Sequence, residues 1–213
     1  MDGNDDSTEG NDGNELAEAV VQHEWQQFQQ TDNEGGRAAC QGNWPMFRQM
    51  RLSQFLTWPE PLLNTYAKDL DEADRTGRNL ITEKYGRMMS STAPDEYRRD
   101  IEPYIPKLPD DRVAAQDQVI ATQVDWALEF RTRYPRLGNG MRVLHTAEDT
   151  PDVTSFETYL RGELGTYSQS TFDLYRRFID ELKSQNRNLT EETVRNTALL
   201  GGFASLEEAE ALQ

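Results

Sequence analysis

Cysteine and histidine are scarce in this sequence of 213 residues, which contains one cysteine, Cys40, and two histidines, His23 and His145. A single cysteine cannot form an intrachain disulfide or a thiolate cage, and two histidines are too few for the usual histidine-rich zinc site. His145 and Glu148 have the spacing of a helical metal pair, but they fall in a predicted loop, and carboxylate-rich dimetal bundles need two such units. We therefore expect no metal and no other cofactor.

The sequence also lacks a long apolar run, and it does not start with the basic and then apolar regions of a secretory signal. We expect a soluble cytoplasmic protein that does not contact a membrane. Lysine and arginine number 22 against 38 aspartate and glutamate, which gives a formal net charge of −16 at pH 7. This acidity disfavours a large nonspecific nucleic-acid surface.

One stretch between Glu129 and Glu148 is locally basic, because no acidic residue interrupts it. A solvated helix end is the simpler interpretation of such a run, and a contact with a nucleic-acid backbone is the alternative. The arginines of this stretch are Arg131, Arg133, Arg136 and Arg142.

Alternation of apolar and polar residues, which is typical of half-buried strands, does not extend far enough anywhere to predict one. Apolar residues instead recur at spacings of three and four, as on the buried face of a helix. Residues 1–13 are acidic and have no apolar residue after Met1, so we expect a disordered tail. Residues 14–213 are predicted to form a single compact all-α domain of about eight to ten helices, with one long loop at 135–153. Helix-capping candidates are Thr154 with Glu157, Thr190, and Ser205 with Glu208.

Several charged residues fall on the apolar stripes of these helices. Leu16, Val20, Glu24 and Phe28 follow one another at intervals of four residues. Glu24 therefore lies on the apolar stripe of the first predicted helix. Arg51 and Gln54 similarly share a face with Phe47, Phe55 and Trp58. An unpaired interior charge costs several kcal/mol, so Glu24 and Arg51 should be neutralised by each other or by other buried groups.

Two further helices show the same mixture of charge and apolar surface. Lys84 lies between the core residues Ile81, Tyr85 and Met88, whereas Glu83 lies nearer the edge of that face and pairs with Arg87 in the simpler interpretation. Later in the chain, Tyr159, Glu163 and Tyr167 form one helical row, and Glu157 and Arg161 form another. We expect at least Glu163 and its two tyrosines to face inward.

A segment with paired glycines, Gly35 and Gly36, precedes Arg37, Cys40 and Gln41. Glycine pairs allow a backbone to approach a ligand closely. Cys40 is a possible nucleophile if Arg37 or a helix N-terminus stabilises its thiolate. A small packed thiol is the simpler interpretation, because free cysteine is commonly buried.

At these residues the sequence resembles the family of domains of unknown function DUF4125. The matching motifs are EWQQF (24–28), GGRAACQ (35–41), MRLSQF (50–55), GRNLITEKY (77–85), SFETYLRGELGTYS (155–168) and SLEEAE (205–210). The resemblance covers all but the acidic tail. Fungal members of this family are associated with arginine-containing cyclodipeptide synthases, which join an arginyl residue and a second aminoacyl residue, both supplied on tRNA, into a diketopiperazine. The resemblance therefore implies an acyltransferase that uses arginyl-tRNA and a second aminoacyl-tRNA.

The resemblance also implies site roles. Aminoacyl esters are already activated, so this chemistry requires neither ATP nor a metal, but it requires a proton acceptor and donors for the oxyanion. The residues assigned to catalysis are Glu24, Arg51, Glu83, Lys84, Tyr159 and Glu163. Those assigned to substrate binding are Arg37, Gln41, Gln54, Asp149, Glu157, Arg161 and Tyr167, with Glu163 or Glu157 as the acceptor for the arginyl guanidinium. Possible acyl nucleophiles are Cys40, Ser53 and Ser155, and the residues assigned to the tRNA backbone are Arg131, Arg133, Arg136 and Arg142. The alternatives are another small-molecule enzyme on the same helical scaffold and a noncatalytic binding domain.

Overall fold

Helices form all the extended regular elements in the part of the chain that the structure describes. This computed structural model describes the backbone of residues 6–31 and 39–213 and the side chains of residues 13–31 and 41–213. The α-helices are α1 (Asp6–Gln29), α2 (Trp44–Phe55), α3 (Glu60–Arg75), α4 (Leu80–Thr92), α5 (Pro94–Glu96), α6 (Asp110–Arg133), α7 (Pro135–Asn139), α8 (Phe156–Leu164), α9 (Gln169–Ser184), α10 (Leu189–Leu200) and α11 (Leu206–Ala211). The prediction of an all-α domain is confirmed.

The helix boundaries follow local capping chemistry. Asn79 caps α4 by accepting a hydrogen bond from the amide of Thr82, and Ser205 caps α11 in the same way from Glu208. Two predicted caps were wrong by one or two residues. Ser155 rather than Thr154 caps α8, because its hydroxyl accepts from the amide of Thr158, and Asn188 rather than Thr190 caps α10 by accepting from Glu191.

The N-terminal prediction stays a prediction. Helix α1 begins at Asp6, whereas residues 1–5 and the side chains of residues 6–12 lie outside the described part of the chain. The boundary predicted after residue 13 is therefore untested.

The segment 135–153 is more ordered than the long loop that the sequence predicts. It contains α7, a short 3-10 turn at Thr146–Glu148 and an isolated bridge between Thr150 and Val153. Gly138 lets α7 pack on the end of α6, because a Cβ at this position would lie 2.8 Å from Cγ of Arg131. Gly138 therefore marks a site of close packing and not a turn.

The apolar core has two parts. The larger part joins the inner faces of α1, α2, α3, α6, α8 and α9, with Tyr66, Phe172 and Tyr175 among its most buried side chains. A smaller part joins the end of α6 to α10 and α11 around Phe130 and Leu206. The larger part surrounds the buried charged residues described below.

Helices α4 and α8 approach each other closely at Gly162. A Cβ at this position would lie 2.8 Å from the carbonyl oxygen of Lys84 and 3.0 Å from Cγ of Met88. Real Cβ atoms do not approach a backbone oxygen this closely, so only glycine allows this separation of the two helices. The contact brings Lys84 of α4 next to Glu163 of α8.

We predict that Gly162→Ala lowers the free energy of unfolding by about 1–3 kcal/mol, the usual cost of overpacking, because α4 and α8 must move apart. Gly13→Ala in α1 is the matched control, since nothing lies within 4 Å of the added Cβ and alanine favours a helix. Urea unfolding of the two variants and the unsubstituted protein measures the effect. Equal stability of both variants would contradict the close packing at Gly162.

Candidate functional site

A buried ion pair between Glu24 and Arg51 lies at the centre of the larger core. The two side chains come from α1 and α2, and they are 0% and 6% exposed. Nε and Nη2 of Arg51 donate to the two carboxylate oxygens of Glu24, each at 2.6 Å. This two-pronged geometry is the strongest form of a guanidinium–carboxylate pair. The sequence left the partner of Glu24 open between Arg51 and other buried groups, and Arg51 is the partner in the structure.

The opposite side of the same guanidinium contacts Glu163 of α8. Nη1 and Nη2 of Arg51 donate to the two oxygens of Glu163 at 3.3 and 3.2 Å. Glu163 also accepts from Nε2 of Gln54 and from the phenol of Tyr167, both at 3.0 Å. Arg51 therefore occupies the space between two carboxylates, and one of them, Glu163, is a residue to which the resemblance assigns the arginyl guanidinium of the substrate.

Lys84 connects this network to Tyr159, which lies at the half-exposed edge of the core. We call this edge the margin. The Lys84 ammonium donates to Oε2 of Glu163 at 2.7 Å and to the phenol oxygen of Tyr159 at 2.5 Å. Lys84 is buried, whereas Tyr159 and Gln54 are half-buried. The guanidinium of Arg142 lies 4.8 Å from the centre of the Tyr159 ring. We call Glu24, Arg51, Gln54, Lys84, Tyr159 and Glu163 the charge cluster.

The charge cluster is electrically balanced, and its pKa shifts reflect this balance. Burial opposes the charge of Arg51, but Glu163 and Glu24 outweigh it and raise the pKa of Arg51 well above its usual value. Burial likewise opposes the charge of Lys84, and Glu163 and then Tyr159 reverse the effect and raise its pKa. Burial alone would raise the pKa of Glu163, but Arg51 and Lys84 hold it far below its usual range. All three groups therefore stay ionised at neutral pH.

Tyr66 is a member of this network that sequence reasoning missed. Its phenol donates to Oε1 of Glu24 at 2.7 Å, and burial together with the charge of Glu24 raises its pKa well above the usual value. The residue shares the apolar stripe of α3 with Leu62, Leu63 and Leu70, so it is indistinguishable from an ordinary core tyrosine in the sequence. A useful signal is that a buried tyrosine hydroxyl usually needs a partner.

Two buried polar residues of α6, also missed, hold the end of α8 in place. Nη2 of Arg112 donates to the carbonyls of Leu164 and Tyr167, and Nε2 of Gln116 donates to that of Leu164. Burial lowers the pKa of Arg112 to about 10, and the guanidinium lies 3.7 Å from the centre of the Phe172 ring. These bonds fix the turn that carries Tyr167 towards Glu163.

The structure does not bring Glu83, Asp149, Glu157 or Arg161 into the charge cluster. Glu83 pairs with Arg78 at 2.7 and 2.8 Å rather than with Arg87. Asp149 accepts from the amide of Ser155 and the hydroxyl of Thr158, so it supports the start of α8. Glu157 accepts from the amide of Thr146 at 3.0 Å and from Arg161, which also contacts Asp117 at 3.2 Å. The substrate-binding and catalytic roles predicted for these residues stay predictions.

The predicted nucleophiles lie apart from the charge cluster where they can be described. Ser53 donates to the carbonyl of Met50 and accepts from Thr197, and Ser155 caps α8. The side chains of Arg37 and Cys40 lie outside the described residues. Gln41 is buried and donates to the carbonyls of Phe28 and Thr31, which ties the chain after the undescribed segment to α1.

The four arginines predicted to contact tRNA each donate within the chain. Arg131 donates to the carbonyl of Arg142, and Arg142 donates to the carbonyl of Thr154. Arg133 pairs with Glu191 of α10, and Arg136 donates to the carbonyl of Ala211. Arg142 differs from the other three because its guanidinium also lies at the Tyr159 margin.

Neither a metal-ligand cluster nor a membrane-spanning helix occurs among the described residues. No group of three or more His, Cys, Asp and Glu side chains in this part of the chain has an arrangement that could hold a metal ion. None of the described helices is both long enough and apolar enough to cross a bilayer.

These features define a class of protein: an all-α domain with a buried polar cluster whose charges balance. Residues 14–211 match the family model described as "Protein of unknown function (DUF4125)", so the chain belongs to the DUF4125 family. No curated protein and no solved structure matches the chain. The predicted family is confirmed.

The charge cluster predicts a specific acid dependence of stability. The pKa of Glu163 is lower in the folded protein than in the unfolded chain, so its contribution is present above about pH 4.5 and is lost as the pH falls through the folded value. We predict that Glu163→Gln lowers the free energy of unfolding by about 3–5 kcal/mol at pH 7, because Arg51 and Lys84 lose a shared carboxylate. The variant should also lose less stability than the unsubstituted protein as the pH falls from about 5 to 3, because the loss begins near the unfolded pKa of 4.5 and continues towards the folded value.

Urea unfolding at a series of pH values measures this difference. Glu60→Gln is the control, since Glu60 is exposed and the glutamine oxygen can still accept from the Asn64 amide. Parallel acid curves for the Glu163 variant and the unsubstituted protein would show that Glu163 does not carry the dependence.

Proposed function

We propose that this protein is an aminoacyl-tRNA-dependent cyclodipeptide synthase that joins an arginyl group and a second aminoacyl group by acyl transfer. The observation that carries the chemistry is the position of the Tyr159 phenol, which lies where the buried charge cluster reaches the half-exposed margin. Membership of the DUF4125 family supports the proposal through the resemblance described above. The substrates would be arginyl-tRNA and a second aminoacyl-tRNA.

Tyr159 is suited to stabilise the oxyanion of acyl transfer. The phenol oxygen accepts a hydrogen bond from Lys84, so the phenol proton points away from Lys84. An ester carbonyl bound at the margin can accept a hydrogen bond from that proton. Negative charge develops on that carbonyl oxygen when an amine attacks. The nearby Lys84 ammonium then stabilises the same charge through the phenol.

The remaining members of the charge cluster are suited to positioning rather than to contact with a substrate. Glu24 lies beneath Arg51 and is fully buried, and Glu163 accepts bonds from four side chains. Either carboxylate would have to give up Arg51 before it could bind a ligand. We therefore assign to Glu24, Arg51 and Glu163 the task of holding Lys84 under Tyr159, since preorganised donors act without reorganisation during reaction.

The reaction consists of two acyl transfers. The α-amine of one aminoacyl ester attacks the carbonyl of the other, a peptide bond forms, the ester bond breaks, and the amine proton passes to the departing 3′ oxygen of the tRNA. The free amine of the resulting dipeptidyl ester then attacks the remaining ester carbonyl, closes the ring and releases the second tRNA. Tyr159 would donate to the carbonyl oxygen in both steps, and Arg142 at the same margin is a cation suited to a tRNA phosphate.

A noncatalytic role is favoured by one observation. Two cations and two carboxylates balance in the charge cluster, and both oxygens of Glu24 and Glu163 accept hydrogen bonds. A buried polar network with all members satisfied can serve fold specificity alone. An enzyme that uses a different small molecule is the remaining alternative.

We predict that Tyr159→Phe reduces formation of arginine-containing cyclic dipeptides by at least about tenfold, since an oxyanion donor contributes about 10²–10³ to rate. Stability should fall by about 1–3 kcal/mol, because the buried Lys84 ammonium loses the phenol oxygen as an acceptor, but the ring keeps its packing and the fold is preserved. Tyr175→Phe is the matched control: it removes another buried phenol, but one that donates to Gln123 outside the charge cluster. It should lower stability by about 1 kcal/mol and leave the products in place.

Mass spectrometry of extracts from expressing cells measures the products, and thermal melts of the purified variants measure stability. Soluble protein without cyclic dipeptides would overturn the proposal. A product that persists in a purified reaction treated with ribonuclease would identify a tRNA-independent enzyme instead. Products that respond equally to the two tyrosine variants would remove Tyr159 from the mechanism.

A further inference from the structure

A cleft of about 280 Å³ lies beside α4 and α8, the helices that carry Lys84 and Glu163. It is bounded by the C-terminal half of α4, the segment 97–108, the N-terminal half of α6 and the end of α8. Three of its lining residues are cations, Arg87, Lys107 and Arg161, and one is an acid, Glu102. In a chain with a net charge of −16, this excess of positive charge calls for an explanation.

Arg87 provides the main evidence for a ligand. No carboxylate of the described residues lies within ion-pair distance of it, and its one hydrogen bond runs from Nη2 to the carbonyl of Pro106 at 2.8 Å. Its Nε is buried and has no hydrogen-bond partner. Burial lowers the pKa of Arg87, because the more distant charge of Glu83 offsets the loss of water only in part.

Capping of α8 does not explain Arg87. A cation near a helix C-terminus is often placed there for the exposed carbonyls. At this end of α8, however, the carbonyl of Leu164 is taken by Arg112 and Gln116. Arg87 instead lies flat against Gly165, where an added Cβ would be 2.7 Å from its Cδ. The side chain is therefore held in place with part of its guanidinium unused.

Two further cations complete the polar wall. Lys107 is exposed and has no ion pair among the residues that the structure describes. Arg161 uses Nη2 for Asp117 and Glu157, whereas its buried Nη1 has no hydrogen-bond partner. The cleft thus contains two cations, Arg87 and Lys107, that have no ion pair among the described residues, and one carboxylate, Glu102.

We propose that this cleft binds a phosphate ester, with the phosphate contacting Arg87 and Lys107 and the organic part lying against Tyr97 and Val113. A phosphate carries up to two negative charges, which matches two unpaired cations better than a single carboxylate does. The volume is slightly below the range of about 300–1,000 Å³ that is typical of drug-sized ligands, so one nucleotide unit is the appropriate size. This site does not depend on the function proposed above.

A nucleotide phosphate can reach the cleft as a free nucleotide or at the end of an RNA strand. Isothermal titration calorimetry with inorganic phosphate, AMP and deacylated tRNA distinguishes these sources. Binding of AMP at micromolar to millimolar concentration identifies a free nucleotide. Binding of tRNA without AMP, weakened by added inorganic phosphate, identifies an RNA end. Both outcomes support the proposal.

Lys107→Glu and Arg87→Gln should each weaken binding of the probe that binds by about tenfold or more, because each removes a charge-assisted contact. Lys107 is exposed, so Lys107→Glu preserves the fold even if Arg87→Gln does not. Lys183→Glu is the control, since Lys183 is exposed and lies outside the cleft lining, and it should bind as the unsubstituted protein does. Absence of binding for all three probes, or equal loss in Lys107→Glu and Lys183→Glu, would overturn the proposal.

Discussion

The guanidinium of Arg51 between the carboxylates of Glu24 and Glu163 is the interaction on which the rest of the structure depends. A charge buried without a partner costs several kcal/mol, so the helices that carry these three residues must keep their relative positions. Lys84 adds a fourth helix to the same constraint. The apolar core supplies most of the driving force for folding, whereas the charge cluster selects one packing of α1, α2, α4 and α8 over others.

The helix pair α4 and α8 has two different faces. Towards the core it places Lys84 against Glu163, and one helical turn further along α4 it places Arg87 in the cationic cleft. Gly162 and Gly165 make this possible, since any larger side chain would collide with the opposite helix or with Arg87. These two glycines therefore support both the charge cluster and the cleft. The distance between α4 and α8 matters more than the identity of most residues on their surfaces.

Helical periodicity was enough to predict the fold class and the inward orientation of Glu24, Arg51, Lys84 and Glu163, because each shares a stripe with apolar residues. It was not enough to predict which groups meet, since pairing depends on how helices cross. The resemblance assigned the arginyl guanidinium to Glu163 or Glu157, but the chain's own Arg51 contacts Glu163. The contact of Tyr66 with the charge cluster could not be predicted for the same reason. Tyr66 lies on an ordinary apolar stripe, and its partner, Glu24, belongs to another helix. Residues 1–5 and 32–38 lie outside the described part of the chain.

The sequence separation within the charge cluster has a consequence for biosynthesis. Glu24 and Arg51 emerge early from the ribosome, but Glu163 is added 112 residues after Arg51. Until Glu163 is synthesised, Arg51 has one carboxylate partner, Glu24, and Lys84 has no carboxylate partner in the charge cluster. Early collapse of α1 to α4 thus leaves an unbalanced positive charge in a dry interior, which penalises premature burial. Synthesis of α8, in the last third of the chain, supplies Glu163 and removes this free-energy cost.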